Sequence, residues 1–221
     1  MEQTILTAKQ LDFLELVNQN KQLTKKFYWT GGTVLAEFYL KHRLSEDIDF
    51  FCEDSEVDQH LIEIFLNQSK DKLQVKEIKS SQFLGLFSYY LIFNDQESLK
   101  IDFNYYPFGR ISIGAKYKNI EIDSIYDIAV NKVHVIANKT RARDFIDIFF
   151  ILKKEKYTFQ ELLMQSKAKF DWHIDPIQLG SQLLKAQDIK DYPRMLKKIN
   201  HQEWKDFFIK EAKKLKKEIF E

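Results

Sequence analysis

The sequence predicts an α+β fold: a mixed β-sheet flanked by helices, followed by a C-terminal helical region. Three observations predict it. Residues 73–106 hold segments that alternate apolar and polar side chains at the two-residue period of strands. After Asp123 the apolar residues recur almost without interruption at helical spacing. Three prolines and six glycines in 221 residues leave room for long regular elements and few irregular loops. The expected division is a core over residues 1–123 and a helical region over 124–221 that completes the site and packs back on the core.

The elements follow in order. Thr7 is placed to cap a helix over residues 7–20, where Leu11, Leu14 and Leu16 or Val17 make the apolar stripe. KKFYWTGG reads as a strand ending in a glycine turn. Residues 33–41 carry Val34, Leu35, Phe38 and Tyr39 at helical spacing, and 47–52 is the next strand. Ser55 with Asp58 has the spacing of a capping box, ahead of a helix with Val57, Leu61, Ile64 and Phe65 as its stripe. Residues 73–78 alternate, and 83–93 is a long aromatic and aliphatic run. In residues 99–106, Leu99, Ile101 and Phe103 take one face and Lys100, Asp102 and Asn104 the other. Pro107, Gly109 and Gly114 mark turns before a short last strand over 118–122. Helices then cover 124–138 and 140–154. Thr158 with Glu161 caps a third, Pro176 suits the first turn of a fourth, and the last runs from about Glu203 to Phe220.

Composition narrows the function. At 44% hydrophobic and 14% aromatic the chain can bury a sizeable core, so it is not a disordered segment. The net charge of +1 implies no acidic partner by itself. The charge is uneven, however: residues 41–63 hold eight acidic side chains against two basic ones, while from Lys190 onward ten Lys and Arg face six Asp and Glu. That asymmetry suits a cation-binding centre with a weakly basic flank. The single cysteine, Cys52, excludes an intrachain disulfide and a multi-cysteine zinc site. There is no secretory pattern in MEQTILTAKQ and no apolar run of about 18 residues. The expected location is the cytoplasm, with no membrane partner.

Residues 29–51, WTGGTVLAEFYLKHRLSEDIDFF, carry the chemistry. Asp47 and Asp49 lie at i and i+2, so in a strand both carboxylates project from one face while Ile48 and Phe50 point to the core. Alone this spacing also describes a solvated strand edge. Upstream, Gly31 and Gly32 follow a strand and open a helix, where backbone N–H groups can approach phosphate oxygens. Glycine turn, helix and D-x-D about fifteen residues on together point to an Mg²⁺- or Mn²⁺-dependent site for a nucleoside triphosphate (NTP). Arg43 and Ser45, just before the strand, are placed to meet phosphate or the acidic cluster, or to shape the connection. Asp102, mid-strand on a polar face, is the candidate third carboxylate, able to bind a second ion or act as base. Lys132 falls inside the apolar stripe Ile125, Ile128, Ala129, Val133 and Ile136, so it must snorkel or meet an anion. In KTRARDFIDIFFILKK, Asp144 and Asp147 flank the core stripe at i, i+3. Arg141 precedes them by one turn, and Arg143 and Asp147 have the spacing of an intrahelical ion pair. These are either local pairs or a polar seam that meets Lys132 and the ligand. Arg194 and His201 make a much weaker, ribonuclease-like pairing.

Together GGTVL, HRLSEDIDFF, LKIDF and DIAVNKVHVIANKTRARDFIDIFFIL stand in the order seen in AbiEii/AbiGii-type nucleotidyltransferase toxins. The chain resembles that family, which is similar to the MenT toxins and belongs to the DNA polymerase β-like nucleotidyltransferase superfamily. The resemblance covers residues 27–154. It implies a nucleotidyltransferase-like sheet with Asp47 and Asp49, and less firmly Asp102, as metal ligands and Gly31–Thr33 as the nucleotide-binding turn. It also implies Lys132 as a triphosphate contact and Asp144 as a catalytic or site-organising acid in R-D-x-x-D. The superfamily's usual Gly-Ser is Gly-Gly-Thr here, so either Thr33 supplies the hydroxyl or that contact is absent. Further implied are NTP with Mg²⁺ (or Mn²⁺), pyrophosphate release, an RNA acceptor such as the tRNA 3′ end, and a cognate antitoxin. Lys210, Lys213, Lys214, Lys216 and Lys217 offer either a basic RNA surface or a solvated helix face. The alternatives are transfer to a protein hydroxyl and a catalytically idle nucleotide-binding or interaction module.

Overall fold

A computed structural model of the chain describes residues 4–215. These residues fall into two compact units. One comprises the chain up to Tyr39 together with Ser45–Ser124; the other comprises Leu40–Leu44 and the chain from Ile125 on.

The first unit is built on a seven-stranded sheet. Its strands are β1 (Tyr28–Thr30), β2 (Ile48–Cys52), β3 (Val75–Phe83), β4 (Leu86–Phe93), β5 (Ser98–Tyr105), β6 (Lys116–Tyr117) and β7 (Ile120–Ile122), in the order β3-β4-β5-β2-β1-β7-β6. The sheet is mixed: β2 pairs parallel with β5 and β1 parallel with β7, and the other neighbours are antiparallel. Two helices supply its apolar cover, α1 (Ala8–Gln19) and α4 (Gln59–Ser69). Phe13 of α1 meets Phe50 of β2 and Phe65 of α4 with ring centres 6.5 and 6.0 Å apart, and Phe50 stacks on its register neighbour Phe103 at 5.3 Å. The period-2 pattern of β2 and β5 thus buries Ile48, Phe50, Ile101 and Phe103, leaving the intervening residues for the opposite face.

Local signals explain most ends. Thr7 and Gln10 form a full capping box at α1. A short helix, α2 (Lys21–Lys26), follows at once; Asn20 caps it by accepting from Gln22 and Leu23 N–H. The strand expected from KKFYWTGG begins only at Tyr28, its first two lysines closing this helix. At α4 the cap is Asp58, which accepts from Leu61 N–H at 3.1 Å, and not Ser55, whose carbonyl instead accepts the Cys52 thiol. The run 83–93 is not one strand. β3 and β4 form a hairpin closed by Leu84 and Gly85, with Leu84 at φ 51°. The tip, Phe83 and Leu84, is exposed despite being apolar, which is why hydropathy read through it. The last strand is likewise a small hairpin, β6–β7. The helix expected from Thr33 starts earlier, as α3 (Gly31–Val34), and widens into a π-helical stretch, Leu35–Leu40.

The second unit is helical: α5 (Ile125–Asn138), α6 (Ala142–Lys154), α7 (Phe159–Phe170), α8 (Pro176–Leu184) and α9 (His201–Lys214). Phe145 of α6 packs on Trp204 and Phe208 of α9, and Phe159 of α7 packs on Phe208. Thr158 caps α7 through Glu161 N–H, Pro176 opens α8, and Asp191 Oδ1 accepts from Ala142 N–H at the start of α6. The excursion Leu40–Leu44 is tied to this unit by main-chain bonds. Arg43 bridges Met195 antiparallel, Leu44 N–H reaches Arg194 O at 2.9 Å, and Leu196 N–H reaches His42 O at 2.8 Å. The end of the last helix near Phe220, with Lys216 and Lys217, lies outside the described residues. Among the described residues no helix is long and apolar enough to cross a membrane.

Candidate active site

The polar face of the sheet carries one continuous row. The register sets Thr30 of β1 opposite Asp49 of β2, Asp49 opposite Asp102 of β5, and Asp102 opposite Ser88 of β4. Hydrogen bonds run along it. Ser88 donates to Asp102 Oδ1 at 2.6 Å, and Thr30 donates to Asp123 Oδ2 at 2.6 Å. Asp47 precedes β2 on the same face by the strand period. Lys100 shares that face on β5 and donates its ammonium to Asp102 Oδ2. Burial opposes the charge on Lys100, but the bond to Asp102 and the charges of Asp102, Asp47 and Asp49 outweigh it and raise its pKa.

Gly31 meets Asp49 directly. It sits at φ +83°, and a Cβ there would lie 2.2 Å from Asp49 Oδ2. Both the backbone conformation and the close approach therefore demand glycine. Thr33 is buried, and its hydroxyl donates to the main-chain oxygen of Asp47. That bond ties the glycine turn to the root of the D-x-D strand. It also engages the hydroxyl's proton.

The donor set fits a hard divalent cation. All candidate ligands are carboxylate oxygens, the type that Mg²⁺ and Mn²⁺ prefer. Among the described residues no three His, Cys, Asp or Glu side chains converge on one point. Asp102 accepts from Ser88 on one oxygen and from Lys100 on the other. Asp47 and Asp49 are two carboxylates of this kind on one face. Mg²⁺ needs no more, being held commonly by one or two carboxylates plus water and substrate phosphates.

The helical unit holds a second polar cluster. Asp147 is fully buried and takes four donors. His42 Nε2 and Arg43 Nε both reach Oδ1 at 2.7 Å, and Arg43 Nη2 at 2.8 Å and Lys132 Nζ at 2.7 Å reach Oδ2. Asp144, one turn back, accepts from Lys132 at 2.7 Å and from Arg141 Nε at 2.7 Å. Burial alone would raise both carboxyls. The Arg43 and Lys132 charges overturn this for Asp147, holding it well below the usual carboxylate range, and Lys132 and Arg141 hold Asp144 below it too. Burial pushes His42 down, so at neutral pH it is an uncharged donor. Lys132 spends two of its three N–H donors on Asp144 and Asp147.

These positions sort the sequence-derived residues into two sets. Gly31, Thr33, Asp47, Asp49 and Asp102 come together in the sheet unit; Arg43, Lys132 and Asp144 come together in the helical unit. Arg43 pairs with Asp147 of α6. Ser45 contributes its carbonyl, which accepts from Gln10 Nε2 at 3.2 Å. The local pair between Arg143 and Asp147 does not form, because Asp147 is surrounded by stronger, more distant donors. Its i, i+3 counterpart, Arg141 with Asp144, does form. His201 accepts the Trp204 indole N–H and stacks on Tyr192, a packing role. Sequence reasoning missed His42, Ser88, Lys100, Thr30 and Asp123. For Lys100 a signal existed, in the i, i+2 spacing with Asp102; the others become visible only through strand register or tertiary contact. A buried pair on α5 and α7, Asp127 with Lys169 at 2.9 Å, also gave no local sign.

The geometry has counterparts among known proteins. The family model of the AbiEii nucleotidyl transferase toxin of type IV toxin–antitoxin systems matches residues 12–213. No curated protein matches. Among solved structures, JHP933 from Helicobacter pylori superposes with a TM-score of 0.57 at 20% identity, over 96% of this chain and 94% of that one. MenT4, a nucleotidyltransferase toxin from Mycobacterium tuberculosis H37Rv, gives 0.54 at 13% identity, over 93% and 82%. These two likenesses establish a shared α+β fold. The family match spans nearly the whole chain, glycine turn, D-x-D strand and R-D-x-x-D helix included, and so the chain belongs to the AbiEii family of nucleotidyltransferase toxins and is a nucleotidyltransferase.

Proposed function

We propose that the protein transfers a nucleotide from an NTP to an RNA acceptor, the 3′ end of tRNA, with Mg²⁺ (or Mn²⁺) on Asp47 and Asp49. It would act in the cytoplasm as the toxin of a pair whose other member is a cognate antitoxin. The observation that carries the reading is the packing of Gly31 against the Asp49 carboxylate, which brings a phosphate-approaching turn and a cation ligand together. The ion, when bound, neutralises the triphosphate and polarises the α-phosphate. The chain's own residues hold the rest. Gly31 opens the turn to the triphosphate, Thr33 fixes the start of the D-x-D strand, and Asp102 lines the row beside Asp49. Lys132, with one N–H left over from its two carboxylates, is the proposed triphosphate contact, and Asp144 organises it. Exposed Lys210, Lys213 and Lys214 on α9 are the proposed basic RNA surface, although Lys214 also pairs with Glu211 at 2.6 Å.

The test is incubation with each labelled NTP, Mg²⁺ and total tRNA, beside Asp49→Ala. Label on RNA that vanishes in the variant is the expected result. Label on protein instead of RNA would replace the RNA acceptor with a protein hydroxyl. Absence of transfer to either, from any NTP, would sink the reading.

A further inference from the structure

Lys100 is a cation built into the acidic row. It sits two residues before Asp102 on β5, so the two side chains share the face on which Asp49 lies next to Asp102. The ammonium holds Asp102 Oδ2 and Ser88 holds Oδ1, so neither oxygen is without a partner. Asp102 is largely buried, and its ion pair is correspondingly costly to break from one side.

In a two-cation phosphoryl-transfer centre the third carboxylate holds the second ion. Here that carboxylate already holds a positive charge supplied by the chain. A second divalent ion on Asp102 would compete with the Lys100 ammonium for Oδ2 and stand against its positive charge. We propose that Lys100 takes the place of the second divalent cation: the loaded enzyme holds a single ion on Asp47 and Asp49, and Asp102 is the positioning residue that keeps the Lys100 ammonium beside it. This rests on the reading of Asp47 and Asp49 as the cation ligands. It makes the substitution pattern at residues 100 and 102 diagnostic in a way that a structural ion pair would not be.

The experiment is Mn²⁺ titration of the purified full chain, followed by electron paramagnetic resonance, with one equivalent of a non-transferable α,β-methylene NTP. Wild type is expected to bind one Mn²⁺ per chain, and Asp102→Asn still one. Lys100→Met, which frees Asp102, is expected to bind two, with its fold checked by circular dichroism. Two Mn²⁺ in wild type, falling to one in Asp102→Asn, would overturn the inference while leaving the nucleotidyl-transfer reading intact. A folded Lys100→Met that stays at one would overturn it as well. Mn²⁺ binding that is indifferent to Asp49→Asn would overturn the cation placement itself, and the inference with it. Should Lys100→Met not fold, the wild-type and Asp102→Asn stoichiometries decide alone.

Discussion

Deleting the Asp147 carboxylate is the sharpest perturbation of the helical unit. In Asp147→Ala, His42 Nε2 loses its acceptor and Arg43 loses both of its bonds to the carboxylate. Arg43 Nη1 keeps the Leu44 carbonyl at 2.9 Å, and the side chain is buried. Lys132 keeps Asp144 at 2.7 Å. Removing one partner of a buried ion pair costs about 3–5 kcal/mol, most of it the penalty of the stranded charge. With buried Arg43 and His42 both losing this acceptor, a loss of about 3–5 kcal/mol is expected. Asp144→Ala is the internal control. There Lys132 keeps Asp147, and Arg141, its side chain 29% exposed, can turn to water, so the loss is limited to about 2 kcal/mol. Urea unfolding followed by tryptophan fluorescence reads the difference, since Trp204 is buried in the same unit. A loss below about 1 kcal/mol in Asp147→Ala, or an equal loss in Asp144→Ala, would refute the picture of Asp147 as the residue that neutralises this cluster.

Other consequences follow from single contacts. Gly31→Ala forces a Cβ to within 2.2 Å of Asp49 Oδ2 at a positive φ, so nucleotide transfer should fall at least about 100-fold while far-UV circular dichroism is unchanged. A variant with near wild-type turnover would show that the close approach has no role. Thr33→Val keeps the volume but removes the bond to the Asp47 carbonyl; about 1 kcal/mol of stability is expected to go, measured by the denaturation midpoint. The pH dependence has a definite sign. Burial lowers the pKa of His42 and His134, so below about pH 6.5 the unfolded chain binds protons that the folded chain refuses, and stability falls by up to about 1.4 kcal/mol per pH unit for each. Asp144 and Asp147 are held low, so their contribution is intact above about pH 4 and does not mask the effect. A melting temperature that stays flat from pH 7.5 to 5.5 would contradict it.

What the sequence made legible was set by short-range periodicity. The alternation in residues 99–106 placed Asp102 on the polar face, and the i, i+2 spacing placed Asp47 with Asp49, because strand geometry fixes both. The lysine inside the α5 stripe pointed to an anion, and the anion is the Asp144–Asp147 pair. What stayed hidden depended on which strands pair and which distant charges win. Nothing local says that Asp49 lies beside Asp102, since the parallel pairing of β2 and β5 is closed by a helix and a hairpin between them. The rule that pairs Arg143 with Asp147 at i, i+4 is worth a few tenths of a kcal/mol on a solvated helix. It loses to the bidentate Arg43, which no local rule can see. Apolar residues at a hairpin tip, Phe83 and Leu84, likewise defeat a reading in which hydrophobic means interior.

The spacing between the glycine turn and D-x-D acquires a physical reason from Leu40–Leu44. As sequence, those residues are part of an unremarkable connection from a helix to a strand. In the fold they leave the sheet unit, pair with residues 194–197 by main-chain hydrogen bonds, deliver His42 and Arg43 to Asp147, and return as the strand that carries Asp49. The connection must therefore be long enough for a helical stretch, an excursion and a return. The π-helical stretch Leu35–Leu40 and the left-handed Lys41 at φ 49° stand where the chain makes that exit. A glycine turn and a D-x-D pair held by a bare loop would need no such length and would gain no anchor. The bidentate Arg43–Asp147 pair holds the excursion within the helical unit, in the segment that precedes Asp47 in the chain.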